Sequence, residues 1–162
     1  METVTERIYK FLPEMPMAYA EIRGSRKYPG IYGNIMFYRF DEGSLVVADV
    51  KGLPYPQEKY KYGIFGFHIH EGNSCTGNIN DPFADAKQHF NPHYVEHPNH
   101  AGDMPVLFGS KGIAWMAFYT NRFTPEEVIG KTIIIHDMPD DYRTQPSGNS
   151  GEKIACGVIK RI

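Results

Sequence analysis

The sequence predicts an all-β protein, folded as an antiparallel sandwich or barrel. Three observations carry that prediction. Seven or eight short runs have alternating or β-branched character. Gly, Pro and Asp turn signals separate them. The helix signal is confined to one capped turn.

The runs Ala18–Arg23, Gly33–Arg39 and Ser44–Lys51 come first. Tyr62–His70 follows, rich in the aromatic and β-branched residues that suit a pleated, half-buried surface. Past a long polar stretch come Gly112–Tyr119, Lys131–His136 and Lys153–Lys160. The capped turn is Thr124–Glu127, with Pro125 at the first helical position. Two stretches break the β rhythm. Glu71–Gly109 is polar and rich in Gly, Pro, Asn and His, and Asp137–Glu152 holds Pro139, Pro146, Gly148, Asn149 and Gly151. Loops this long in a compact domain are functional or disordered. The first carries His89, His93, His97 and His100, which favours function. Residues 1–17 read as an N-terminal extension, leaving 18–162 as one domain.

A chain of 162 residues and 18.5 kDa suits a single core. A net charge of −2 and a pI near 6.4 give no basic excess, which speaks against a nucleic-acid partner. No apolar run approaches the roughly 20 residues of a membrane helix, so no membrane partner is expected. The first residues mix charges and prolines into apolar positions and lack the pattern of a secretory signal. The expectation is a cytoplasmic protein as encoded, or a periplasmic or secreted one if a signal has been removed. Cys75 and Cys156 are either two reduced thiols, the cytosolic default, or one disulfide.

All seven histidines fall between His68 and His136. Neutral imidazole is the commonest metal-binding side chain and suits zinc and copper. His68 and His70 are two apart in a strand-like run, so both point to one face and can reach one metal; a solvated face is the rival reading. His97, His100 and Asp103 are three apart in a segment whose Pro98, Gly102 and Pro105 disfavour a regular helix. Turns would let them converge, and histidines plus one carboxylate make an ordinary zinc set, with His89 the natural fourth ligand. His136 ends an apolar run, and Asp137, Asp140 and Asp141 beside it either accept from a ligating histidine or form a solvated loop. Two four-coordinate metals sharing one ligand need seven residues, and the chain offers six placed histidines and Asp103. His93 is left over as a surface loop residue.

Taken together, Gly66–Glu71, His89–Pro92, His100–Pro105, Ile135–His136 and Gly148–Ile159 resemble the copper/zinc superoxide dismutase family, in a form more bacterial than animal. The resemblance runs from about Ala18 to Ile162. It implies an eight-stranded antiparallel Greek-key β-barrel with two long functional loops. It also implies His68, His70, His89 and His136 as copper ligands, and His89, His97, His100 and Asp103 as zinc ligands, with His89 bridging. Asp140 would link a copper histidine to a zinc histidine, and Cys75 and Cys156 would form a disulfide. The implied activity is conversion of superoxide anion to dioxygen and hydrogen peroxide, in some members as a homodimer.

Three departures stand out. Lys153 occupies the place of the family's anion-guiding arginine, and lysine is a flexible point charge where arginine is a rigid fork. Only Pro98 and Asn99 separate His97 from His100, which leaves His93 as a substitute for His97. The Asp137–Glu152 loop is short. The expected catalytic residues are His89, which would carry a proton, and Lys153, which would attract the anion. The alternatives are a metal-binding relative with little or no turnover, and a β-sandwich interaction module with one structural zinc.

Overall fold

The computed structural model describes residues 15–55 and 63–162. Residues 1–14 of the expected extension, and Tyr62 at the head of the fourth expected strand, lie outside them.

Three long strands come first: β1 (Ala18–Gly24), β2 (Tyr32–Phe40) and β3 (Gly43–Lys51). β4 (Ile64–Phe65) and β5 (Phe67–His70) follow, then β6 (Leu107–Phe108), β7 (Ile113–Thr120), the one-turn helix α1 (Pro125–Val128), β8 (Thr132–His136) and β9 (Lys153–Arg161). Taking Ile64–His70 as one strand bent at Gly66, the described residues form eight strands of the barrel. The bend has a backbone cause. Gly66 donates to the Met138 carbonyl and accepts from the His136 N–H, so the chain leaves its pairing with β6 there and joins β8. β6 lies inside the stretch expected to be loop, because two residues are too short to show alternation. A 3-10 turn at Ala84–Ala86 lies there too.

The main sheet runs β5-β8-β9-β1-β2-β3-β7, antiparallel throughout. β4 pairs with β6, which leads into β7 through the turn at Ser110–Ile113, so the two ends of the sheet are drawn together. Alternation sorts the side chains. Ala20 and Ile22 of β1, Ile35 and Phe37 of β2, and Val46, Ala48 and Val50 of β3 fill the interior. On α1 the capping box of Thr124 and Glu127 satisfies the exposed first-turn amides.

β5 and β8 are buried on both faces, and this positions the site. Phe67 and Ile69 of β5 and Ile133 and Ile135 of β8 enter the core, so His68, His70, Ile134 and His136 face outward. The outward face is covered by the 71–109 segment, whose Phe83 and Ala86 pack on Ile134 and Cys156. A bulge between β8 and β9 matters here too. It sends both Ile154 and Ala155 into the core and sets Lys153 opposite His136.

Cys75 and Cys156 are joined in a disulfide that ties the long covering segment to β9 across 81 residues of sequence. Loop-closure entropy for a span of that size corresponds to about 4–5 kcal/mol. A Cys75→Ser/Cys156→Ser protein should therefore melt about 10 °C or more below the parent in calorimetry of the metal-free form. Equal melting points would show that packing alone holds the segment down.

Candidate metal centre

The free edge of β5 organises the histidines. The backbones of Gln88, Phe90 and Gly102 complete hydrogen bonds with Glu71 and Ile69, giving single-residue bridges His70↔His89 and His68↔Asp103. Only glycine fits at 102, because a Cβ there would lie 2.2 Å from the Ile69 carbonyl oxygen. The long segment thus lays His89 and Asp103 against the two strand histidines.

Two groups result. The potential ligand atoms of His68, His70, His89 and His136 lie within 4.8 Å of one another, as do those of His89, His97, His100 and Asp103. All seven residues are buried, and His89 belongs to both groups. Its ring centroid is 4.1 Å from that of His68 and 5.4 Å from that of His100.

Each ring is oriented by one nitrogen. His70 donates Nδ1–H to the Lys87 carbonyl at 2.8 Å, and His136 Nδ1 lies 3.3 Å from the Gly151 carbonyl. His68 donates Nε2–H to Asp140 at 2.7 Å, and His97 donates Nε2–H to the other Asp140 oxygen at 2.9 Å. Asp140 therefore joins one member of each group. The other nitrogens, His68 Nδ1, His70 Nε2, His89 Nε2, His97 Nδ1 and His136 Nε2, are buried and make no hydrogen bond within the protein.

These atoms fit metals. Zinc–ligand bonds of 2.0–2.1 Å in a tetrahedron place neighbouring ligand atoms about 3.3 Å apart. The second group has His89 Nδ1–Asp103 at 2.7 Å, His97 Nδ1–Asp103 at 3.0 Å, His100 Nδ1–Asp103 at 3.2 Å and His100 Nδ1–His89 Nδ1 at 3.4 Å. The first group is all imidazole, a donor set that suits copper.

Burial favours the neutral, ligating form of His68, His70 and His136. Burial, then the nearby His89 and His136, pushes His68 well below the ordinary histidine range, and burial with His89 does the same to His70. Burial, opposed by the Gly151 hydrogen bond and aided by His89 and Lys153, lowers His136 to about 4. Burial alone would raise the Asp103 carboxyl, but the hydrogen bond from His89 and the surrounding histidines outweigh it and hold Asp103 below its usual range.

His93 is exposed and lies outside both groups, whereas His97 is within the second. Asp137 accepts from the Glu152 N–H and Asp141 from Arg143 and Thr144, so both are spent on the backbone of the 137–152 loop rather than on a histidine. Lys153 stands beside His136, but its Nζ is paired with Asp81 at 2.7 Å and with the Phe83 carbonyl at 3.2 Å. Two anchoring residues carry no signal in the sequence. Arg122 donates to the carbonyls of Pro98, His100 and Asp103, at 2.7, 3.2 and 3.5 Å. Gln145 clamps His97 by both its N–H and its carbonyl, at 3.0 and 2.6 Å.

The family model for copper/zinc superoxide dismutase (SODC) matches residues 31–159. The chain belongs to this family. It is 34% identical to the Cu-Zn superoxide dismutase of Deinococcus radiodurans, over 82% of this chain and 79% of that protein. It is also 34% identical to Cu-Zn superoxide dismutase 2 of Aquifex aeolicus, over 80% of each. A Dictyostelium discoideum Cu-Zn superoxide dismutase matches at 32%, over 82% of this chain and 92% of that protein. Among the described residues no helix is long and apolar enough to cross a membrane.

Two outcomes follow for this family member. His136 has a folded value near 4 against an ordinary 6.5, so below pH 6.5 the unfolded chain binds more protons than the folded one. Stability of the metal-free protein should fall as pH drops from 6.5 towards 4. The check is the urea midpoint measured in chelator, and a flat midpoint across that window would contradict the neutral, buried ring. The second concerns Gly148, at φ +69°, where a Cβ would lie 1.8 Å from Asp140 Oδ1 and 2.7 Å from His97 Nε2. Gly148→Ala should displace the Asp140 carboxylate and weaken zinc binding about 10–100-fold in competition with a chromophoric chelator. Unchanged affinity would mean that Asp140 does not hold the two groups in place.

Proposed function

We propose that this chain is a superoxide dismutase, converting two superoxide anions and two protons to dioxygen and hydrogen peroxide. The observation that carries the reading is the pair of four-residue groups sharing His89, lined by buried ring nitrogens that make no hydrogen bond within the protein. His68, His70, His89 and His136 would hold copper, and His89, His97, His100 and Asp103 would hold zinc. When bound, copper supplies a one-electron redox couple and zinc, which has no redox chemistry, supplies a fixed charge.

The remaining work falls to the chain. His89 keeps Nδ1 against Asp103, which leaves Nε2 as the atom able to take up a proton and deliver it to peroxide. Asp140 holds His68 and His97 in fixed tautomers through two hydrogen bonds, so both groups keep their spacing as His89 gains and loses its proton. Lys153, next to His136 on the outer face, supplies positive charge at the approach to the copper group. The disulfide fits an oxidising compartment, which favours the periplasmic or secreted setting over the cytoplasmic one.

The test is direct observation of superoxide decay with protein reconstituted in copper and zinc, beside a His136→Ala control. Decay at least about 100-fold faster than the control is the expected result, a loss of about 2.7 kcal/mol in transition-state stabilisation. Two tightly bound metals with decay no faster than the control would leave a metal-binding relative without turnover.

A further inference from the structure

Lys153 does not stand as a free cation. Its side chain is only 16% exposed, and Nζ lies 2.7 Å from Asp81 Oδ2 and 3.2 Å from the Phe83 carbonyl. Asp81 is held rigidly in turn. Its other oxygen accepts the Phe83 N–H at 3.0 Å, and its own N–H donates to Asn78 Oδ1 at 3.0 Å. Its carbonyl accepts the N–H groups of Asn78 and Ala84. The turn is fastened to β9 by the Cys75–Cys156 disulfide and by Phe83 and Ala86 packed on Ile134 and Cys156. The carboxylate is thus built against the ammonium and cannot swing away without breaking several contacts.

Two consequences follow from this geometry. A lysine has a long flexible stem, and Asp81 fixes the head that a guanidinium fork would otherwise fix by its own shape. A unit negative charge 2.7 Å from the positive one also turns a monopole into a dipole, whose field on an approaching anion falls off faster with distance.

We infer that Asp81 is a positioning residue for Lys153 that also mutes its charge, and so sets how strongly the site captures small anions. The inference rests on the proposed reading of the histidine groups as the place where the anion arrives. Asp81→Asn keeps the shape and one of the two accepting oxygens, enough for either the Phe83 N–H or the Lys153 ammonium, while removing the countercharge. Asp85→Asn is the control. It removes the same charge from the same loop at an exposed residue that bonds Thr76 and does not touch Lys153.

The experiment measures azide binding to the copper- and zinc-loaded protein by its absorption band, with superoxide decay followed across ionic strength on the same samples. Asp81→Asn should tighten azide about three- to tenfold at low salt and steepen the fall of decay rate with salt. Asp85→Asn should change azide binding by less than about twofold. Equal shifts in the two variants would reduce the effect to net charge and overturn the inference. No shift in Asp81→Asn, with metal content unchanged, would overturn it as well. If the loaded parent fails to remove superoxide, the proposed activity falls, while azide affinity still decides the role of Asp81.

Discussion

His68, His70, His97 and His136 each give one ring nitrogen to a protein oxygen and keep the other, like Nε2 of His89, buried without a hydrogen bond. Leaving a buried polar atom unpaired costs on the order of 1–3 kcal/mol. Five of them within one site are a burden that a fold carries only for a return. For His68, His70 and His136 protonation offers no escape, because burial and neighbouring rings disfavour added positive charge. Cations between the rings would satisfy these nitrogens together. The neighbouring structure can be understood as whatever is needed to bury imidazoles on the outside of a barrel and keep their free nitrogens converging.

That requirement explains the long segment over β5 and β8. Irregular backbone cannot be buried unless its own N–H and C=O groups are paired. Gln88, Phe90 and Gly102 meet this by using the open edge of β5. The carbonyls of Pro98, His100 and Asp103 meet it through Arg122, whose guanidinium reaches all three from beyond β7. Gln145 does the same for His97 from the other loop. Asp140 then couples the two histidine groups directly, so neither can shift without moving the other. The candidate ligands are irregular in sequence yet held in place by these contacts, which is what a preorganised metal site would need.

Charge at the rim follows a different rule from charge inside. Within the groups, carboxylates face histidines at hydrogen-bond distance and fix tautomers. At the rim, Asp81 faces a lysine, and the pair trades field strength for position. The bulge that sets Lys153 opposite His136 makes this local charge matter, since it brings the ammonium to the outer face on which the histidines lie.

Much of this was legible in the sequence. Alternation and β-branched or aromatic runs located seven strand segments to within a few residues, the first where one face packs on the core and the second where both faces are buried. The spacing of His68 and His70, two apart in a strand, placed both on one face. The clustering of histidines with Asp103 marked the site, since that donor set is rare outside metal chemistry. Other features required the tertiary structure. Which of Asp137, Asp140 and Asp141 faces the histidines depends on how the 137–152 loop folds, and only Asp140 does. The choice of His97 over His93 depends on turns that no periodicity encodes. Arg122, Gln145 and Asp81 act across 19 to 72 residues of sequence, and a contact of that range leaves no local pattern to read. Local periodicity and side-chain chemistry fixed the strands and the kinds of ligand. Long-range packing decided which carboxylate serves which cation.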